Sequence, residues 1–237
     1  MIVGLLHPGE MGAAVGRTLQ ANRHEVLWAS EGRSEATRAR AEAFRDVGSV
    51  SALAEQAELI LSICPPHAAL DVARGVSGFD GVYVDANAIS PMRAKEVAEI
   101  QRRYVDGGIV GGPPDEPGTT LYLSGSGAAS VAVLFVGTNL EPRVVADASA
   151  IKMAYAAWSK GSAAMLLAIR DVARHFGVEE EWELAAPELA KRLPRAEHAA
   201  ATKGWRWTGE MEEIADTFAA AGQPDGFHRA AARVYRS

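Results

Sequence analysis

The residues with the spacing to do chemistry begin at the N-terminus, where Gly4–Gly12 read GLLHPGEMG. The apolar run Met1–Leu6 before the turn suits a buried parallel strand, and AAVGRTLQANRH after it has helical composition. A strand, a tight turn and a helix start in that order form an anion cradle. The helix N-terminus leaves backbone N–H groups unpaired and carries partial positive charge, which suits a pyrophosphate. Gly9 lets the backbone approach such a ligand, and Gly12 lets the helix pack closely on the strand. His7 stands where the usual G-x-G-x-x-G fingerprint has its first glycine. On residue type alone it reads as a polar turn residue without a catalytic role.

The end of the second strand candidate, Ala29-Ser30-Glu31-Gly32-Arg33-Ser34, selects between a ribose hydroxyl and a ribose 2′-phosphate. Arg33 can pair bidentately with phosphate, and Ser30 and Ser34 can donate to it. Glu31 points the other way, and a solvated loop with Ser34 as a helix N-cap is the plainer alternative. NADP is the cofactor expected, with NAD as the alternative.

Lys152 falls in the first turns of a long helical segment. Ser159 lies about 20° away around the axis, with Ala156 between them on the same side. A lysine on this small, partly polar face can exchange a proton with a substrate oxygen or nitrogen; the alternative is an ordinary exposed lysine. Lys160, about 80° away on the wheel, is expected at the surface. Asn87, in VDANAISP, stands past a strand end. It either hydrogen-bonds a substrate or the nicotinamide ribose, or caps the next helix, a role open to Ser90 as well. Asp85 is expected to hold that loop. Trp205 and Trp207 are either core anchors or the walls of an apolar pocket. The six histidines show no paired spacing, so no metal site is expected, and there is no G-x-S-x-G elbow.

These groups need elements to hold them. At 237 residues the chain can bury a full core and divide into two domains. A formal net charge of −6 gives no basic field for nucleic acid. The single cysteine, Cys64, cannot form an internal disulfide, which fits a reducing compartment. The opening residues lack a signal-peptide pattern, and runs such as Val131–Val136 are too short to span a bilayer. A cytoplasmic protein that acts on a small molecule, without membrane or nucleic acid, is the expectation.

The first half alternates strand and helix patterns, as in βαβ units with a parallel sheet. Strands are expected at 1–6, 25–30, 47–50, 58–64, 82–86, 104–109, 121–124 and 144–146. Helices are expected between them, including one through 33–44 and one from Pro91 to Arg103. From Ala148 to Phe176, Ile151, Tyr155, Trp158, Met165, Ile169, Val172 and Phe176 recur at helical spacing along one face. Shorter helices are expected at 179–192, 195–203, 210–220 and 224–235, with no strand in this half. The fold class is therefore α/β. A Rossmann-type dinucleotide-binding domain with a parallel sheet (1–147) is followed by an all-α substrate and dimerisation domain (148–237).

Four segments, GLLHPGEMG, VDANAISP, VDGGIVGGPP and ASAIKMAYAAWSKG, together resemble the β-hydroxyacid dehydrogenase and 6-phosphogluconate dehydrogenase superfamily. The likeness is to its NAD(P)-dependent oxidoreductases with a short helical C-terminal domain. The resemblance implies that Gly9, Met11 and Gly12 hold the pyrophosphate and that Cys64, Pro65 and Pro66 lie against the cofactor ribose. It puts Asn87 near the nicotinamide, makes Gly111 and Gly112 the substrate-binding glycine pair, and makes Lys152 the general acid/base. Ser159 joins the expected substrate-binding residues. A homodimer is implied, with helices of one subunit closing the partner's cleft. Val110 and Ala156 depart from the family's serine and asparagine, removing hydrogen-bond partners for a substrate carboxylate or hydroxyl. The expected activity is hydride transfer between NADP and a small, fairly apolar carbonyl or alcohol. Imine reduction and a non-catalytic NADP-binding accessory role are the alternatives.

Overall fold

The computed structural model describes residues 1–236. Its packing separates two units, residues 1–152 and the residues from Met153 onward.

In the first unit, apolar runs with turn residues at their ends become strands, and the amphipathic segments between them become helices. The strands are β1 (Ile2–Leu6), β2 (Glu25–Trp28), β3 (Arg45–Asp46), β4 (Leu59–Ser62), β5 (Val82–Asp85), β6 (Tyr104–Val110), β7 (Thr119–Ser124) and β8 (Leu140–Val144). They form one eight-stranded sheet in the order β3-β2-β1-β4-β5-β6-β7-β8. Pairing from β3 through β6 is parallel, and the central strands β1, β4 and β5 are buried and read as near-continuous apolar runs. One face packs Val3, Leu5, Leu61, Val84 and Val105 in its core, and the other packs Leu53, Ile60, Tyr83, Ile89 and Val97.

The helices of this unit are α1 (Glu10–Ala21), α2 (Glu35–Arg40), α3 (Val50–Gln56), α4 (Ala69–Arg74), α5 (Pro91–Ile100) and α6 (Ala128–Val133), with α7 (Ala148–His175) running on beyond it. Because β1 lies between β2 and β4, the strand order reverses at its carboxyl end. Open α/β sheets bind ligands at such a switch point.

Three expectations change. The third strand is Arg45–Asp46 rather than 47–50: Gly48 turns the chain at φ +80° and Ser49 caps α3 through Ala52 N. β8 ends at Val144 instead of starting there. β7 runs antiparallel to β6, because residues 111–118 are too few for a crossover helix and turn back through Gly111 and Gly118, at φ +126° and +117°.

The unit from Met153 onward is helical: the rest of α7, then α8 (Glu179–Ala185), α9 (Pro187–Ala190), α10 (Leu193–Ala220) and α11 (Gly226–Val234). The two helices expected at 195–203 and 210–220 are one. Gly204 is buried inside it and does not break the helix. Lys160, expected at the surface, is largely buried. Its ammonium pairs with the buried Glu210 carboxylate and lies 5.7 Å from the Trp207 ring centre, while Tyr235 Oη donates to its carbonyl at 2.6 Å. Trp207 is half-buried and packs edge-on against Tyr235, whereas Trp205 is exposed. Tyr155, Trp158, Met165, Ile169 and Val172 along α7, with Phe176 just beyond it, are exposed. Among the described residues, no helix is long and apolar enough to cross a membrane.

Candidate active site

The turn after β1 is held by His7. It adopts φ +65°, the left-handed conformation for which the fingerprint normally uses glycine, and its carbonyl accepts from Gly9 N at 2.7 Å. A Cβ on Gly12 would lie 2.7 Å from that carbonyl oxygen, so only glycine fits there. A Cβ on Gly9 would meet nothing closer than 4.0 Å, which leaves the space in front of the turn open. Gly9 is the N-cap of α1 and brings no side-chain cap; the first carbonyl bond of the helix runs from Ala13 N to Gly9 O at 2.8 Å. The first-turn amides are thus presented to whatever occupies that space. Met11 packs its side chain on the core, leaving its backbone at the turn. Burial, reinforced by the positive charge of Arg33, pushes the His7 imidazole down to about 4, so it is neutral at pH 7. Its Nδ1 is buried with no partner among the described residues.

Beyond β2, Ser30 is buried. Its amide donates to Asp46 Oδ1 at 3.2 Å and its carbonyl accepts from Arg38 Nη2 at 2.7 Å. Ser34 is the N-cap of α2, its Oγ accepting from Thr37 N at 3.3 Å. Arg33 is half-buried, and its Nε finds no partner among the described residues. Arg40 reaches back to the glycine-rich turn, Nε donating to Pro8 O at 3.4 Å. Arg38 and Arg40 were not among the sequence candidates. Their helical register beside Arg33 is the signal that was available.

Asn87 joins the ends of β4 and β5. Its Oδ1 accepts from Cys64 N at 2.5 Å, its Nδ2 donates to Ser62 Oγ at 3.2 Å, and its amide donates to Asp85 Oδ1 at 2.9 Å. Capping of α5 falls to Ser90, which accepts from Arg93 N at 3.2 Å. Pro65 leads into a short 3₁₀ turn at Pro66–Ala68. Burial, then the charge of Asp85, pushes the Cys64 thiol up to about 12, so it stays a thiol.

Polar residues form a row across four neighbouring strands, at the carboxyl ends of β4, β5 and β7 and near the start of β6. Ser62 is in register with Asp85, Asp85 with Asp106, and Asp106 with Ser124, and all four are buried. Asp106 grips the start of α7: Oδ2 accepts from Ser149 N at 2.8 Å and Ser124 Oγ at 2.9 Å, and Oδ1 accepts from Ser149 Oγ at 2.5 Å. Ser124 Oγ accepts in turn from Ala148 N at 3.0 Å. Burial pushes the Asp106 carboxyl up, while the Ser149 and Ser124 bonds pull it back down. Two residues along β6, Gly108 leaves room for the helix: a Cβ there would lie 2.8 Å from Ala148 O and 2.9 Å from Lys152 Cβ. Lys152 Nζ then donates to Ile109 O at 2.8 Å.

β6 ends at Val110, half-buried, and the exposed pair Gly111 and Gly112 follows it. Thr119 Oγ1 donates to Gly112 O at 2.7 Å, closing that loop. Ser159 is half-buried and Ala156 fully buried in the helical unit. Asp106 and Ser149 were not among the sequence candidates, although a carboxylate inside VDGGIV is the kind of buried charge that demands partners.

Residues 173–237 match DUF1932, a domain of unknown function. An uncharacterized 28.5 kDa protein in the 7S RNA 5′ region of Methanothermus fervidus is 27% identical over 189 residues, spanning 76% of this chain and 74% of that protein. Among solved structures, a conserved protein of unknown function, described as structurally similar to 3-hydroxyacid dehydrogenases, is 26% identical. Its TM-score is 0.71, with 100% of this chain and 96% of that one covered. The Mycobacterium tuberculosis 3-hydroxyisobutyrate dehydrogenase solved with L-serine has a TM-score of 0.72 at 15% identity, covering 99% and 92%. A reductive aminase from Aspergillus terreus in complex with NADPH and ethyl levulinate has a TM-score of 0.59 at 16% identity, covering 99% and 92%. The resemblance read from the sequence holds for the fold: like these structures, the chain is an α/β protein with a mostly parallel sheet and a helical C-terminal region.

Proposed function

We propose that the chain is an NAD(P)-dependent oxidoreductase, NADP preferred, acting on a small, fairly apolar carbonyl or alcohol. The observation that carries this reading is the turn from His7 to Gly12 at the strand-order reversal. Its helix start has no side-chain cap, and the space beside Gly9 is open. Those features fit a dinucleotide diphosphate. The buried, unpartnered Nε of Arg33 fits a further phosphate beside β2.

In this reading Gly9, Met11 and Gly12 hold the diphosphate through backbone amides, and Arg33 pairs with the ribose phosphate. Ser30 and Ser34, already bonded to Asp46 and Thr37, shape the loop around it. The turn at Cys64 and Pro65, braced by Asn87, flanks the ribose. A bound nicotinamide supplies or accepts the hydride. Lys152, steadied by Ile109 O, gives a proton to the substrate oxygen during reduction and takes it back in the opposite direction. Gly111 and Gly112 offer exposed backbone to the substrate, and Val110 favours an apolar one. An imine is the neighbouring substrate class, distinguished by assay.

The helical unit supports a homodimer. Trp158, Met165 and Phe227 project around a groove of about 520 Å³ floored by Ala157, Gly161, Ala164 and Ala168. A two-fold interface sets the same patch of each copy against the other, and in this reading the exposed apolar side chains of one copy enter the groove of its partner.

The test is turnover on cyclic imines, small ketones and aldehydes with NADPH, and on small 3-hydroxy acids with NADP. Lys152→Ala is expected to cut turnover on the order of 10²- to 10⁴-fold while NADPH affinity stays near wild type. Unchanged turnover would remove the lysine from the mechanism. Tight NADPH binding with no turnover on the whole panel would favour the accessory role.

A further inference from the structure

We infer that Asp106 is a positioning residue for Lys152, fixing the first turn of α7 on β6 so that the ammonium is held at the carboxyl end of that strand. The inference rests on the oxidoreductase reading for its consequence in turnover, but the geometry stands by itself.

One strand carries the whole device. Asp106 takes the amide and hydroxyl of Ser149 and, with Ser124, fixes Ala148 N. Gly108, on the same face, sets the close approach of α7, and Ile109 O receives Lys152 Nζ. Ser149 is three residues before Lys152, nearly one helical turn, so a rotation or lift at Ser149 is passed directly to the lysine. A carboxylate suits this place because both oxygens accept and it faces unpaired amides at a helix N-terminus. An amide has only one accepting oxygen. In Asp106→Asn, the Nδ2 group must confront either the Ser149 amide and Ser124 hydroxyl or the Ser149 hydroxyl. The first orientation leaves the Ser149 amide unbonded; the second keeps the contacts, with the Ser149 hydroxyl accepting from Nδ2, but removes the negative charge that faces the helix N-terminus.

The experiment labels amines of the full-length protein, wild type and Asp106→Asn, and reads each lysine by peptide mass spectrometry. Lys152 is expected to label several-fold faster in the variant, with Lys95, Lys191 and Lys203 unchanged, because its ammonium is released from Ile109 O. Equal labelling of Lys152 in a folded variant would overturn the inference. If Asp106→Asn fails to fold, Ser149→Ala is labelled in its place, with the same expectation and the same overturning result.

With an active substrate, Asp106→Asn is expected to lower kcat on the order of 10- to 100-fold, with KM and NADPH affinity little changed. It is also expected to add nothing further in the Lys152→Ala background, since a residue that acts through another shows no independent effect. A multiplicative loss in the double variant, or a parallel loss of NADPH affinity, would overturn the inference. If the wild type turns over nothing, the oxidoreductase reading fails, while the labelling comparison still decides the role of Asp106.

Discussion

Gly108 and Lys152 meet where α7 crosses β6: a Cβ added at 108 would lie 2.9 Å from the lysine's own Cβ. Backbone contact this close ties the lysine to the strand and explains how its ammonium reaches the carbonyl of Ile109, the next residue along. Gly108→Ala is therefore expected to lift the first turn of α7. The predicted costs are about 1–3 kcal/mol of stability in denaturant unfolding and a kcat loss on the order of 10²-fold. Wild-type values for both would mean the contact is easily relieved.

Gly12 faces the same constraint in the turn. Gly12→Ala brings a methyl group to 2.7 Å from His7 O, a backbone atom that cannot swing aside. We expect NADPH affinity to fall about tenfold or more, since losing one charge-assisted bond to the diphosphate costs roughly 1.5–3 kcal/mol. Calorimetry reads this directly, and undiminished affinity would put the nucleotide elsewhere.

The loop after β2 makes a prediction about cofactor choice. Arg33→Ala is expected to weaken NADPH about tenfold or more and NADH hardly at all. The difference between the cofactors should shrink as salt rises. Arg38 and Arg40 already bind Ser30 O and Pro8 O, so their removal is expected to act on the loop and affect both cofactors alike. A larger NADPH-specific loss in Arg40→Ala would transfer the phosphate contact to that residue.

His7 sets a direction for acid sensitivity. Its folded pKa is lowered from 6.5 to about 4, so between these values the unfolded chain holds the extra proton. Its contribution to stability is complete above pH 6.5 and declines as pH falls toward 4. His7→Gly, which accepts φ +65° without strain, is expected to fold and to lose less stability over that interval. Chemical denaturation at several pH values checks it; parallel curves for the two proteins would contradict the assignment.

The Rossmann-type half was legible because most of its strands are short apolar runs closed by turn residues, and GEMG marks the start of α1. The face of α7 was legible from its spacing, and Ser34 and Ser90 stood where caps were foreseen. Interactions between residues distant in sequence were not legible. Asp106 and Ser149 are 43 positions apart, and no local periodicity links them. Lys160 was misplaced for a related reason. A helical wheel gives its angle from Lys152 but not which flank α10 and Tyr235 cover. The third strand was missed because Arg45 and Asp46 are both exposed and paired only with β2, so they carry no apolar signal.

The central claim is that the turn from His7 to Gly12 holds a dinucleotide diphosphate. Calorimetric titration of the wild-type protein with NADPH and with NADH tests it most directly. Saturable binding of one NADPH per chain, tighter than NADH, is the predicted result; heat of dilution alone with both nucleotides would contradict it.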